Sequence, residues 1–175
     1  SNDEDLDAFF NIHNFSITAG QETGEQKVEL RRPFAQLNVA TADTALASPA
    51  GVDIATTGVE VAGVYSSFNL KSGAVTGNAT TAKFAPTTKA NGKISANGKE
   101  YDHIAMNYLL VNAKELETVK FTVKNGTFEE EFTYNNVPLQ RNYKTNIIGN
   151  LLTSTYDFTI EINPIFADEY DYAGA

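Results

Sequence analysis

Cysteine is absent from this 175-residue chain, which removes disulfides, thiolate zinc sites and cysteine nucleophiles at once. Tryptophan is absent too, and with it the flat aromatic platform on which carbohydrate-binding modules usually stack a sugar. Only His13 and His103 offer an imidazole. Two histidines so far apart, with no thiol to join them, make no metal-ligand pattern and call for no cofactor. No apolar run approaches the roughly 20 residues of a membrane helix, so no transmembrane segment is expected. Basic residues are in deficit, 13 Lys and Arg against 22 Asp and Glu, for a net charge of −9. Such a field repels phosphate backbones and anionic lipid, which argues against nucleic acid as a partner. An anionic ligand would have to be met at local basic sites such as Arg31, Arg32, Lys71 or Lys93.

What is plentiful points to strands. Nineteen Thr and 17 Asn accompany 11 Phe and 8 Tyr, a mixture that favours strands joined by polar turns. At this length one domain is the default. Residues 12–19 alternate with a period of two, Phe15 and Ile17 forming the expected buried pair. The same reading fits Val28 to Arg31 and then Phe34 to Val39, with Leu37 and Val39 inward. Pro33 between them marks an edge, a strand crossing or a bulge. Thr41 to Ser48 is the one good short-helix candidate, capped by Thr41 or Asp43 and closed by Pro49 and Gly51. Val59 to Leu70 reads as a longer strand with a bulge at Gly63, followed by a turn at Lys71 to Gly73. Thr76 to Gly98 reads as short edge strands and loops.

Farther along, Ile104, Met106, Tyr108 and Leu110 share one face while Ala105, Leu109 and Val111 occupy the other, the pattern of a strand buried on both sides. The clearest local signal is a hairpin. Val119, Phe121 and Val123 alternate, Asn125-Gly126 turns the chain, and Phe128 to Tyr134 alternate back. Tyr143 to Ile148 and Tyr156 to Ile162 complete the set. Strands this frequent, with at most one short helix, predict an all-β antiparallel sandwich, because a doubly wound fold would need a helix after each strand.

No enzyme is expected. Asp3, Asp5 and Asp7 have the alternating oxygens of a calcium loop's start, but Ala8 stands where that loop requires glycine. Asp102 and His103 are strand neighbours that point to opposite faces and so make no general-base pair. Glu129 and Glu131 share a hairpin face and could serve as a glycosidase carboxylate pair. A charged edge that resists aggregation explains them without a substrate.

Three stretches carry a resemblance: Val28-Glu-Leu-Arg-Arg-Pro-Phe-Ala-Gln-Leu-Asn-Val39, Asn107-Tyr-Leu-Leu-Val111, and Asn136-Val-Pro-Leu-Gln-Arg-Asn-Tyr-Lys-Thr-Asn-Ile-Ile-Gly-Asn-Leu-Leu-Thr153. Together they resemble the fimbrillin-like proteins of Bacteroidales, the subunits of the type V pilus. Asp7-Ala-Phe-Phe10 also fits. The resemblance implies a transthyretin-like β-sandwich over residues 8–166, exported as a lipoprotein, trimmed by a surface protease, and polymerised into a fimbria on the outer-membrane surface. Its partners would be other copies of itself or related pilins, joined by strand exchange: an unpaired edge supplies main-chain hydrogen bonds and alternating side chains fill pockets. The family carries sequence upstream of the segment matching Asp7, so a processed or truncated piece is implied. A glycan- or host-binding surface adhesin is the first alternative, a carbohydrate-active enzyme the second.

Two segments have competing readings. The acidic stretch 167–175 follows Phe166 and carries Tyr170 and Tyr172, aromatics that share one face if the chain is extended. It reads either as a donor strand, with Phe166, Tyr170 and Tyr172 as assembly contacts, or as an acidic tail. In Arg141-Asn142-Tyr143, an assembly contact competes with an internal role, which is preferred: Arg141 pairing with an acid, Asn142 closing a turn, Tyr143 packing.

Overall fold

A computed structural model describes residues 2–47, 54–112, 114–125, 128–153 and 157–164. Among them lie eleven strands, a 3-10 turn at Glu4–Leu6 and a single α-helical turn, α1, at Thr44–Ala47. The strands are β1 (Ala35–Thr41), β2 (Thr56–Val64), β3 (Ser67–Asn69), β4 (Ala74–Thr76), β5 (Thr80–Thr88), β6 (Lys93–Ala96), β7 (Lys99–Leu109), β8 (Lys114–Asn125), β9 (Phe128–Gln140), β10 (Lys144–Gly149) and β11 (Phe158–Asn163). A five-stranded sheet in the order β11-β10-β1-β7-β6 and a four-stranded sheet in the order β5-β2-β8-β9 share one core, while β3 and β4 pair separately. The fold is an all-β sandwich.

Alternation builds that core. Leu37 and Val39 of β1, Val59 and Val61 of β2, Phe121 of β8 and Ile147 of β10 all turn inward and are buried. The β8–β9 hairpin sets Phe121 opposite Phe132, with ring centroids 6.3 Å apart. On its outer face Lys120 meets Glu131 at 3.4 Å and Lys124 meets Glu129 at 2.9 Å. Opposite charges thus line the solvent side while aromatics line the core, as the pleat requires. The bulge foreseen at Gly63 appears as a register shift in the β2–β5 ladder between Val61 and Val64.

One pair departs from the antiparallel pattern. β10 runs parallel to β1, with Gln36 opposite Lys144 and Thr41 opposite Gly149. The cause is connectivity. β9 belongs to the other sheet, and the chain crosses at residues 141–143 to enter beside the start of β1, so both strands then run the same way.

Four expectations are corrected. Phe15 and Ile17 are not buried: they are 55% and 75% exposed, on an arm spanning residues 11–31 that is exposed throughout. Val28 to Arg31 form no strand, and the arm is closed by a single bridge between Phe10 and Arg31. Period two reports that a segment is extended, whereas burial needs a second element to cover it, and no described strand does. Thr41 ends β1 and caps nothing, since α1 starts only at Thr44. Within residues 76–98, β5 does lie at a sheet edge but is a full nine-residue strand rather than a short one. Gly126, the proposed helix stop at Pro49 and Gly51, and the candidate contacts Phe166, Tyr170 and Tyr172 lie outside the described residues.

Candidate binding cleft

β1 begins after Pro33, and the crossing turn between β9 and β10 is stitched to that entry. Asn142 adopts a left-handed backbone (φ 64°), which asparagine tolerates better than most residues. Its N–H donates to the Phe34 carbonyl at 2.8 Å, and its side-chain oxygen accepts the Arg32 N–H at 2.9 Å. The Gln36 N–H donates to the Tyr143 carbonyl at 3.0 Å, and the Tyr143 N–H closes the turn on Gln140 at 3.1 Å. Asn142 therefore does close a turn, and the same turn locks two segments 110 positions apart.

The arginines of this region have different partners. Arg32 is 8% exposed and donates through Nε and Nη2 to both carboxylate oxygens of Asp7 at 2.6–2.8 Å, with its guanidinium 4.4 Å from the Phe9 ring centroid. Arg141 finds no acid among the described residues: its Nη1 donates to the Gly73 carbonyl at 2.5 Å, and its guanidinium stands 5.9 Å from the Phe68 ring. The ion pair expected of Arg141 is made by Arg32 instead. Arg31 is exposed and meets only the exposed Glu29, at 3.2 Å.

Between these groups opens a cleft of about 350 Å³ lined by Phe10, Arg31, Arg32, Gly73, Gln140, Arg141, Asn142 and Tyr143. Gly73, at φ 66°, ends the turn between β3 and β4, and a Cβ there would stand 2.9 Å from Phe10 Cζ. Its lack of a side chain lets the arm approach. Phe10 in turn packs edge-on against Phe68, centroids 4.8 Å apart. Arg31, Arg32 and Arg141 are the only arginines in the sequence, and all three line this cleft. That convergence was the signal sequence reasoning missed, because 110 residues separate the two groups.

Elsewhere the polar constellations are internal. Asp43, fully buried, accepts from the backbone N–H groups of Leu152 (3.1 Å) and Thr153 (2.8 Å), from the Thr153 hydroxyl (2.7 Å) and from the Thr41 hydroxyl. It organises the turn after β10 from the position directly before α1. Gly149 allows the same turn to close, since a Cβ there would fall 2.1 Å from the Asp157 carbonyl oxygen. Asp102 is held by Lys93 and Thr44, which lower its carboxyl below the ordinary 3.8, while the His103 ring contacts the Ala105 carbonyl at 3.1 Å. Asp3 accepts the Asp5 N–H, and Asp7 is turned to Arg32. Among the described residues no three His, Asp or Glu converge on one point, and no helix is long and apolar enough to cross a membrane.

The segments that carried the sequence resemblance meet in space. Asp7 to Phe10 packs on Arg32, β7 pairs Leu109 with Ala35 and Asn107 with Leu37, and β10 flanks β1 on the other side. The chain belongs to a family of unknown function, DUF6562, whose profile matches residues 1–174. No curated protein matches the sequence.

Proposed function

We propose that the chain, a member of that family, is a structural subunit of a bacterial surface fimbria, assembled by strand exchange with further copies and contributing to adhesion. The observation that carries this reading is the arm. Residues 11–31 project without a covering element, and Phe15, Ile17, Val28 and Leu30 are 45–75% exposed on it. Its exposed apolar side chains alternate with polar ones on both limbs of the arm, the pattern of a segment that can gain a partner strand from another molecule. The mutual packing of the stretches resembling fimbrillins supports the same reading. A second reading, a ligand-binding surface module, is favoured by the arginine-lined cleft. The outer-face carboxylates Glu129 and Glu131 are each engaged by a lysine.

The test combines cells and purified protein. Immunogold electron microscopy of producing cells is expected to label filaments along their length. The double variant Phe15→Asp, Ile17→Asp is expected to keep the β-sheet circular dichroism of the parent and to lose polymer on native gels. Label only at filament tips would favour the ligand-binding module. Polymer yield unchanged in the double variant would remove the arm from assembly, and absence of label from any filament would overturn the fimbrial reading.

A further inference from the structure

We propose that the cleft between the arm and the 141–143 turn binds the acidic segment that this chain itself carries at residues 167–172. The inference does not depend on the fimbrial reading.

Its first support is the distribution of charge. A protein of net charge −9 has gathered every arginine it possesses into one concavity. Guanidinium is the side chain suited to planar, bidentate recognition of a carboxylate. Arg32 is already committed to Asp7 and sets the geometry of the wall. Arg141 is not so committed. Its half-buried guanidinium has one neutral carbonyl and an aromatic ring as company, and no carboxylate pairs with it among the described residues. A desolvated cation in that state favours a carboxylate that completes the pair. Arg31, whose pairing with Glu29 is fully in water and therefore worth little, can turn toward the same ligand.

The second support is the size and character of the cleft. About 350 Å³ is room for two or three side chains. Phe10 and Tyr143 give it apolar walls between the cations. An acidic residue flanked by an aromatic one matches that alternation. Residues 167–172 read Ala-Asp-Glu-Tyr-Asp-Tyr.

The third support is position. β11 ends at Asn163, opposite Lys144, the residue that follows the cleft-lining Tyr143. Five further residues to Asp168 reach at most about 17 Å when extended. The end of β11, which precedes the acidic segment, therefore lies beside the cleft, and the segment of the same chain is long enough to reach it.

The probe is a fluorescein-labelled peptide of residues 165–175, titrated by anisotropy into the full chain bearing Asp168→Asn, Glu169→Gln and Asp171→Asn, so that its own stretch does not compete. Saturable binding is expected. It should weaken at least tenfold in Arg141→Gln, weaken in the solvent-exposed Arg31→Gln, whose fold is not at stake, and fall as salt rises from 50 to 300 mM. A peptide with the same three carboxylates amidated should not bind. Weaker binding to the unsubstituted chain is expected, because its own segment competes for the cleft, and equal binding would overturn the assignment of the occupant to the same molecule. Binding indifferent to both arginine substitutions overturns the proposal. So does binding of an oligogalacturonate in place of the peptide, which would make the cleft a site for sugar acids.

Discussion

Asp43 is the residue on which the most distant parts of the chain converge. Its carboxylate takes two backbone N–H groups and two hydroxyls, and no other described group is placed to satisfy those amides. Asp43→Ala should cost about 2 kcal/mol of stability, read as a lowered urea midpoint with unchanged slope, because it strands the buried Leu152 N–H and the part-buried Thr153 N–H. Asp43→Asn, which keeps the shape and one acceptor, should cost clearly less. Glu117 has the opposite character. Burial, reinforced by the charge of Glu115, raises its carboxyl above the ordinary 4.5. A carboxyl raised in the folded state favours folding below its unfolded value, and that advantage is lost as the pH rises through the raised value. Glu117→Gln should therefore stabilise the protein at pH 7 and leave it unchanged below about pH 4, which thermal melts at the two pH values would check.

Among the elements, the arm is the one whose attachment can be loosened alone. It is fixed by the Phe10–Arg31 bridge, by Asp7 on Arg32 and by the approach of Phe10 and Ile12 to Gly73. Gly73→Ala introduces both a left-handed alanine and a methyl against Phe10, at a cost of about 1–2 kcal/mol. Amide exchange should accelerate at Phe10 and Arg31, and trypsin should cut faster after Lys27, while β1 and β7 to β10 keep their protection. Loss of protection across the sheets instead would show that the arm is integral to the sandwich. The elements also divide by how legible they were. The β8–β9 hairpin could be read directly, since its alternation, its turn residues and its partner are all local. The arm alternates just as clearly at Phe15 and Ile17, yet its burial depended on a covering element that local pattern does not encode. Asp43 stands directly before α1, where a cap is expected, but its partners in the turn after β10 lie 109–110 residues away and cannot be read from local pattern.

At the scale of the whole molecule, the sandwich followed from composition and period, whereas the cleft depended on topology. Arg31 and Arg32 are adjacent in sequence, and Arg141 joins them only because β10 lies beside β1 and carries the crossing turn with it. Period two specifies which face a side chain takes; it does not specify which strand lies next. That parallel pairing also sets an order of events at the ribosome. β1 finds its β10 partner 108 positions later, so the side of β1 that β10 will cover stays open until residue 149 has emerged. Throughout that interval Leu37 and Val39 belong to a half-closed sheet edge, and non-local pairing of this kind is slow and prone to association. The growing chain therefore carries an unpaired apolar strand edge over the 108 positions that separate the two partners.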